Sequence, residues 1–312
     1  VPAARAAAGT GTLTKGQLMH SVLGDRRSVA ILLGPALLVY SLGRLVPMLW
    51  SLGYTFFIGS VISGFSWAGT ANFGKLLDDP ALPTALWFTV KYAVVITVGQ
   101  VLVGYLLALL YVFFLRRGGA VIRTLVFFPV ILPTVAVALL FQKFFEYAPQ
   151  TGPVNALIEA FGGTGVDWFS TPGNAFLVVA MMDIWRSMGF YAVLLYAGLL
   201  DIPDEMMEAA AMDGASTWRL IRSIVVPLSL PVLVSSLVFS INGTLKAFDS
   251  IYALTGGGPG SATTPLTLYM YQTSFAYGDY GYGSTIALTL TVLCLLVTVF
   301  IFRATRRDLA QG

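Results

Sequence analysis

Charge, cysteine and histidine are scarce in this chain, and each shortage excludes something. Only 11% of the 312 residues are charged, against 57% hydrophobic, and the mean hydropathy is +0.80. Soluble domains carry roughly 25% charged residues, so most of this surface does not face water. The one cysteine, Cys294, rules out an intramolecular disulfide and a multi-cysteine metal centre. It lies in an apolar run, where a small core or lipid-facing residue is the plain reading. The one histidine, His20, sits in a polar N-terminal stretch, so a zinc site would need carboxylates for its remaining ligands. No metal site and no catalytic set is assigned. A net charge of +3 without a long basic run also lacks the footprint of a nucleic-acid binder.

Long apolar runs are what the chain has instead. A helix needs about 20 mostly apolar residues to cross the hydrocarbon core. Six stretches qualify, at 29–58, 84–115, 124–145, 175–200, 228–254 and 284–302. Residues 1–28 and 304–312 read as tails around a six-span domain, 29–303. No convincing Ala-x-Ala cleavage site follows the first run, which therefore reads as a retained anchor.

Basic residues set the orientation. Arg5, Lys15, Arg26 and Arg27 precede the first span; Arg116, Arg117 and Arg123 lie between the second and third; Arg219 and Arg222 lie between the fourth and fifth; Arg303, Arg306 and Arg307 follow the sixth. The other three connections contain only Lys75. The positive-inside rule then places both termini in the cytoplasm. The outer connections, 59–83, 146–174 and 253–283, are rich in Gly, Pro or aromatic residues and too short for separate globular domains.

One apparent nucleotide motif fails. Gly69-Thr70-Ala71-Asn72-Phe73-Gly74-Lys75 matches most of a phosphate-binding loop, but Leu76 stands where Ser or Thr must hold Mg²⁺. No buried strand is expected before it, and the topology puts it outside.

The cytoplasmic connection 201–226 is more specific. Pro203 suits the first position of a helix, and Asp204, Glu205 and Glu208 favour its positive end. Met207, Ala210, Ala211 and Gly214 recur at helical spacing as a small, smooth face. Gly214 ends the helix and Ser216 caps a second one, with Trp218, Ile221 and Val225 on its apolar side. An amphipathic helix on the lipid surface is the competing reading. Its acidic start and small face favour close approach by a protein.

With Glu208-Ala209-Ala210, Asp213-Gly214-Ala215, Ile224, Pro227 and Pro231, this segment resembles the EAA signature of permease subunits of ATP-binding-cassette (ABC) importers. The fuller match is to the carbohydrate-type branch, the maltose and glycerol-3-phosphate permease family. Trp185, the run from Phe248 to Pro259, and Thr263, Thr264, Tyr269, Tyr271, Phe275 and Gly281-Tyr282-Gly283-Ser284 extend the likeness to roughly 84–307. Val226 departs from it, where the family usually has Leu.

That resemblance implies an all-α membrane protein of the type I importer kind, in a bacterial inner membrane. It implies docking of Met207, Glu208, Ala209, Ala210, Ala211, Asp213, Gly214, Ala215 and Trp218 on an ATPase. The chain itself would be non-catalytic, and ATP and Mg would belong to two ATPase partners. A second permease, an extracytoplasmic solute-binding protein and membrane lipid complete the expected partners. Gly256, Gly257, Gly258 and Pro259 are either a plain loop or a contact for the binding protein.

Charges inside the spans need an account, because each costs about 2.5–3.5 kcal/mol at mid-membrane. Arg44 also falls within a span, while Lys91 and Lys143 lie near outer ends and can snorkel. Asp183/Arg186 and Lys246/Asp249 are opposite charges three apart, able to share a helix face. Each is either a bundle ion pair or part of a polar path. The family likeness places Asp183, Ser187, Phe190, Ser240, Thr244 and Ala247 on that path. Trp185, Phe190, Tyr191, Phe248 and Tyr252 offer flat faces to a sugar. An ion-coupled secondary transporter remains the alternative, though it leaves the 208–216 segment without a task. An intramembrane enzyme would need a nucleophile and base that the spans do not show, and a structural membrane subunit would need no path.

Overall fold

The computed structural model describes residues 26–115, 118–148 and 150–309. Arg5, Lys15, His20, Arg116, Arg117 and Pro149 lie outside the described residues, as do the side chains of Arg26, Arg27, Arg306 and Arg307. Two units, Val1–Tyr54 and Thr55–Gly312, are separable.

The first unit contains α1 (Arg26–Tyr40), a π-helical turn (Ser41–Leu45) and α2 (Val46–Tyr54). Its apolar stretch is Val29–Tyr54, with no residue buried among the described ones. Exposed Leu and Val all round a helix suit lipid rather than water. The run expected to reach residue 58 stops at Tyr54.

In the second unit, Ile58 belongs instead to a hairpin, β1 (Phe57–Ser60) and β2 (Gly64–Trp67), paired antiparallel with Phe57 opposite Trp67. The expected helical membrane fold holds, with this two-stranded sheet added among the described residues. Asn72, buried on α3 (Ala71–Asp78), pins the hairpin by donating to the Thr55 and Phe57 carbonyls at 2.9 and 2.8 Å.

The bundle is built on α4 (Ala81–Phe113), α5 (Gly119–Ile131), α6 (Thr134–Phe144), a short α7 (Pro153–Ala160) and α8 (Pro172–Leu200). Then come α9 (Asp204–Met212), α10 (Thr217–Leu220), a π turn (Ile221–Val225) and α11 (Val226–Thr244). The chain continues through α12 (Asp249–Thr255), α13 (Leu266–Tyr271) with its π turn (Gln272–Ala276), and α14 (Tyr280–Leu309). Among the described residues five helices are long and apolar enough to span, or six if α5 and α6 form one broken span.

Two expected spans are corrected. The third bends by 98° between α5 and α6. Leu132 precedes Pro133 and is extended, φ −69° and ψ 139°, because the proline ring disfavours the helical region for its predecessor. The fifth helical run covers Thr217–Thr244, so the second helix of the 201–226 segment is continuous with the span. It stops ten residues before the expected end at 254, where Lys246 and Ala247 bond back to Gly243 and Thr244 and tighten the turn.

Lipid supplies little hydrophobic drive between helices, so packing and polar contacts hold them. α4 and α8 lie side by side because Gly104 has no side chain. A Cβ there would stand 2.6 Å from Tyr191 Cβ and 2.9 Å from Ala192 N. A polar seam joins α4 to α11. Gln100 Nε2 donates to Ser240 Oγ at 2.5 Å, Ser240 Oγ donates to Thr97 Oγ1 at 3.0 Å, and the Tyr105 and Ser229 hydroxyls meet at 2.7 Å.

Candidate functional site: a polar cavity above an exposed hairpin

A cavity of about 270 Å³ lies among α4, α6, α8 and α11. Tyr92, Ile96 and Gln100 line it at four-residue steps along one face of α4. Asp183, Arg186, Ser187 and Tyr191 line it from α8, and Ser240, Gly243 and Thr244 from α11. The segment Lys246–Ser250 completes the wall. Five of the six expected path residues are brought together here: Asp183, Ser187, Ser240, Thr244 and Ala247. Phe190 is not. It stacks on Phe239 at 5.6 Å and meets Tyr191 edge-on. Trp185 also turns away, packing on Phe141 at 5.7 Å in the apolar cluster around Val178 and Met182. Tyr92 and Gln100 were not anticipated. The available signal was their eight-residue spacing inside an otherwise apolar span.

The two charge pairs differ. Asp183 is 3% exposed and accepts from the Tyr92 hydroxyl at 2.5 Å. Arg186 Nε stands 3.8 Å from the other Asp183 oxygen and makes no hydrogen bond. This pair is both a bundle contact and a cavity wall. Lys246 and Asp249, expected on one helix face, do not share a helix: Lys246 lies in the turn after α11. No ion pair joins them among the described residues, and Asp249 opens α12 instead.

The cavity lines the middle of α8, and a helical hairpin of α9 and α10 follows its C-terminal end. With 29 residues, α8 is about 44 Å long at 1.5 Å per residue. After it, Asp204 and Glu205 occupy the first turn of α9, where the helix dipole favours them. Gly214 takes φ +78°. Its N–H bonds to the Ala211 carbonyl and that of Ala215 to the Ala210 carbonyl, both at 3.0 Å. These bonds satisfy carbonyls that the helix end would leave unpaired. Ser216 Oγ then accepts from Arg219 N at 3.4 Å and starts α10.

The structure divides the expected docking residues. Glu208, Ala209, Ala211, Asp213 and Gly214 are exposed, whereas Met207 and Ala210 turn inward onto a cluster with Leu195, Leu199, Leu220 and Val225. Ala215 is half-buried. Of the three residues expected on the apolar side of the second helix, Ile221 and Val225 are buried and Trp218, also an expected docking residue, is 72% exposed. Tyr191 belongs to the same cluster and also lines the cavity.

At the Pro172 end of α8 a second cleft, about 570 Å³, contains Gly258 and Pro259 with Gln142, Lys143, Glu146, Tyr147 and Asp167. Gly256 and Gly257 do not line it; at φ +60° and +94° they turn the chain out of α12. Thr263 Oγ1 holds the loop by donating to the Gly258 carbonyl at 2.6 Å. Lys143 pairs with Glu146 at 2.8 Å, and Lys91 lies 4.0 Å over the Phe176 ring.

The Gly69–Lys75 segment is engaged in protein contacts. The strand before it, β2, is largely exposed, and Lys75 pairs with Asp279 at 2.6 Å. Beside it, Asp79 accepts from the hydroxyls of Tyr269, at 2.5 Å, and Tyr282. Burial works against the Asp79 charge, but these bonds outweigh it and hold the carboxyl below the ordinary range. Burial, then the bond to Asp79, pushes the Tyr269 hydroxyl up to about 12.

Residues 100–307 match the family described as binding-protein-dependent transport system inner membrane component. The sulfoquinovosyl glycerol transport system permease protein SmoG of Agrobacterium fabrum is 34% identical over 82% of this chain and 83% of its own length. The trehalose/maltose transport system permease protein MalF of Thermococcus litoralis is 34% identical over 68% of this chain and 70% of its own. A chain of a solved bacterial ABC transporter involved in the import of the acidic polysaccharide alginate shares the fold. Its TM-score is 0.80 at 23% identity, over 93% of this chain and 98% of that one.

Proposed function

Because this chain belongs to the family of binding-protein-dependent transport system inner membrane components, we propose that it forms half of the membrane path of an ATP-driven importer for a sugar, oligosaccharide or polyol derivative. The other half is a second permease of the same kind. Two ATPase subunits bind ATP and Mg on the cytoplasmic side, and a solute-binding protein delivers the substrate outside. Both termini and the α9–α10 hairpin face the cytoplasm of a bacterial cell, in keeping with the Arg distribution.

The observation that carries this reading is the placement of Tyr191. It sits in the wall of the cavity and in the cluster that seats Met207 and Ala210. A push on the exposed side of α9, at Glu208, Ala211 and Asp213, therefore has a continuous line of packed side chains to follow. Packed cores resist graded deformation and shift between discrete arrangements. Closure of the ATPases would move the hairpin, and α8 and α11 would carry the cavity from inward-open to outward-open. The polar lining of Gln100, Ser187 and Asp183 suits a hydroxylated solute. An ion-coupled carrier leaves the hairpin without a task.

The test is the intact complex with Glu208→Lys or Gly214→Val. Glu208 is exposed, so its reversal leaves folding intact and changes a docking contact. Valine at φ +78° is strained by roughly 1–2 kcal/mol. Both variants are expected to lose copurifying ATPase or sugar-coupled ATP hydrolysis. Wild-type values for both sink the docking role.

A further inference from the structure

The cavity wall continues outward as a row of aromatic rings. Phe248, which lines the cavity, stacks on Tyr252 with centroids 5.3 Å apart and planes at 14°. Tyr271 touches both, at 5.1 and 5.7 Å. Phe275 follows Tyr271 at 5.3 Å, and Tyr280 follows Phe275 at 5.7 Å. Five rings thus form an unbroken chain, from the cavity to the residue beside Asp279, whose carboxylate holds Lys75 of the outer connection.

The row is only partly covered. Tyr252 is 49% and Phe275 62% exposed, and Phe248, Tyr271 and Tyr280 are partly so. Among the described residues of the row only Tyr280, at the very start of the last span, belongs to a helix long and apolar enough to cross a membrane. The scaffold is firm. Thr267 Oγ1 donates to the Ala247 carbonyl at 2.5 Å and ties α13 to the cavity wall. The π turn Gln272–Ala276 follows α13, and Tyr271 and Phe275 lie four apart along this segment, on one face.

An aromatic face is electron-rich, and the C–H groups on one side of a pyranose ring are weakly positive. The contact is directional enough to orient a sugar yet tolerant of which sugar it is. The ring-to-ring distance is comparable with the length of one sugar unit. A path conducts when each station holds its solute weakly and the next is within reach. We infer that the row from Tyr280 to Phe248 is a slide along which a saccharide passes between the outer face and the central cavity. The inference rests on the saccharide-importer reading above.

The test is uptake by the complete transporter of radiolabelled maltose, trehalose, lactose and sulfoquinovosyl glycerol. Tyr271→Ala and Phe275→Ala, which delete a ring, are compared with Tyr271→Phe and Phe275→Trp, which keep one. A lost stacking contact lowers uptake at limiting sugar by about 2- to 10-fold, with recovery at saturating sugar. The ring-keeping variants retain most of the wild-type rate, and all four assemble. Equal losses in the ring-keeping variants, or no loss in the alanine variants, overturn the slide while leaving the importer intact. Loss of assembly in the alanine variants also overturns it, by assigning the row to the contact with the second permease. Failure of the wild-type complex to take up any of the four saccharides overturns the saccharide reading and the slide with it.

Discussion

Tyr92 on α4 and Asp183 on α8 are joined by a hydrogen bond of 2.5 Å, with Arg186 at 3.8 Å on the far side of the carboxylate. The bond ties together two helices that Gly104 already allows to touch, and it does so on the wall of the cavity. A hydrogen bond to a charged group contributes about 1.5–3 kcal/mol, and stripping one partner from a buried pair costs about 3–5 kcal/mol. Tyr92→Phe is therefore expected to lower the thermal midpoint of the purified complex, and Asp183→Ala to lower it further. An unchanged midpoint for Tyr92→Phe shows that the bond does not hold the bundle.

Ser187 and Ser240 both line the cavity but differ in burial. Ser240 is 1% exposed and sits in the seam with Gln100 and Thr97, so Ser240→Leu overpacks the site and strips partners from both, at about 1–3 kcal/mol. Ser187 is only partly buried, and Ser187→Leu narrows the cavity. The expected split is lost stability for Ser240→Leu and lost uptake with normal assembly for Ser187→Leu. If Ser187→Leu transports at the wild-type rate, the cavity is not on the path.

Ser216 caps α10 on the exposed hairpin, so a cysteine there reports which side the hairpin faces. In a Cys294→Ala background, Ser216→Cys is expected to react with a membrane-impermeant maleimide only after the cells are opened. Labelling of intact cells reverses the orientation and removes the docking role with it.

The cluster of Asp79, Tyr269 and Tyr282 has a signed pH response. The lowered Asp79 value means that its contribution is present above the unfolded-chain value of 3.8 and is lost as pH falls through the lower folded one. The raised Tyr269 value means that its contribution is present below 10.0 and is lost as pH rises through about 12. Asp79→Asn should flatten both arms of the thermal-stability profile. Arms of wild-type steepness in that variant mean that the cluster does not set them.

Much of the fold was legible because lipid imposes a simple rule. A run such as 175–200 spans because nothing else can satisfy its backbone, and α8 follows it to within three residues at its start. The hairpin was legible for a local reason. Gly214 and Ser216 act through their own backbone and side-chain bonds, and those bonds form where the spacing placed them. Breaks were less visible. The bend at Pro133 had a local cause that a count of apolar residues passes over. The stop after Thr244 left Lys246 in a turn and Asp249 at the start of α12, so the helix face their three-residue spacing had implied does not form.

Composition and the long apolar runs by themselves determined a membrane-spanning chain, and the likeness carried by the Glu208–Ser216 segment pointed to the permease family. Each depends on neighbours along the chain or on the preference of a whole segment for lipid. Only the tertiary structure decided which polar residues share a cavity. It turned Phe190 away, admitted Tyr92 and Gln100, and put Tyr191 between cavity and hairpin. Those outcomes follow from how closely α4, α8 and α11 approach and how each is rotated. A glycine contact at Gly104 and a seam of hydroxyls set both, through partners 87 to 147 residues apart.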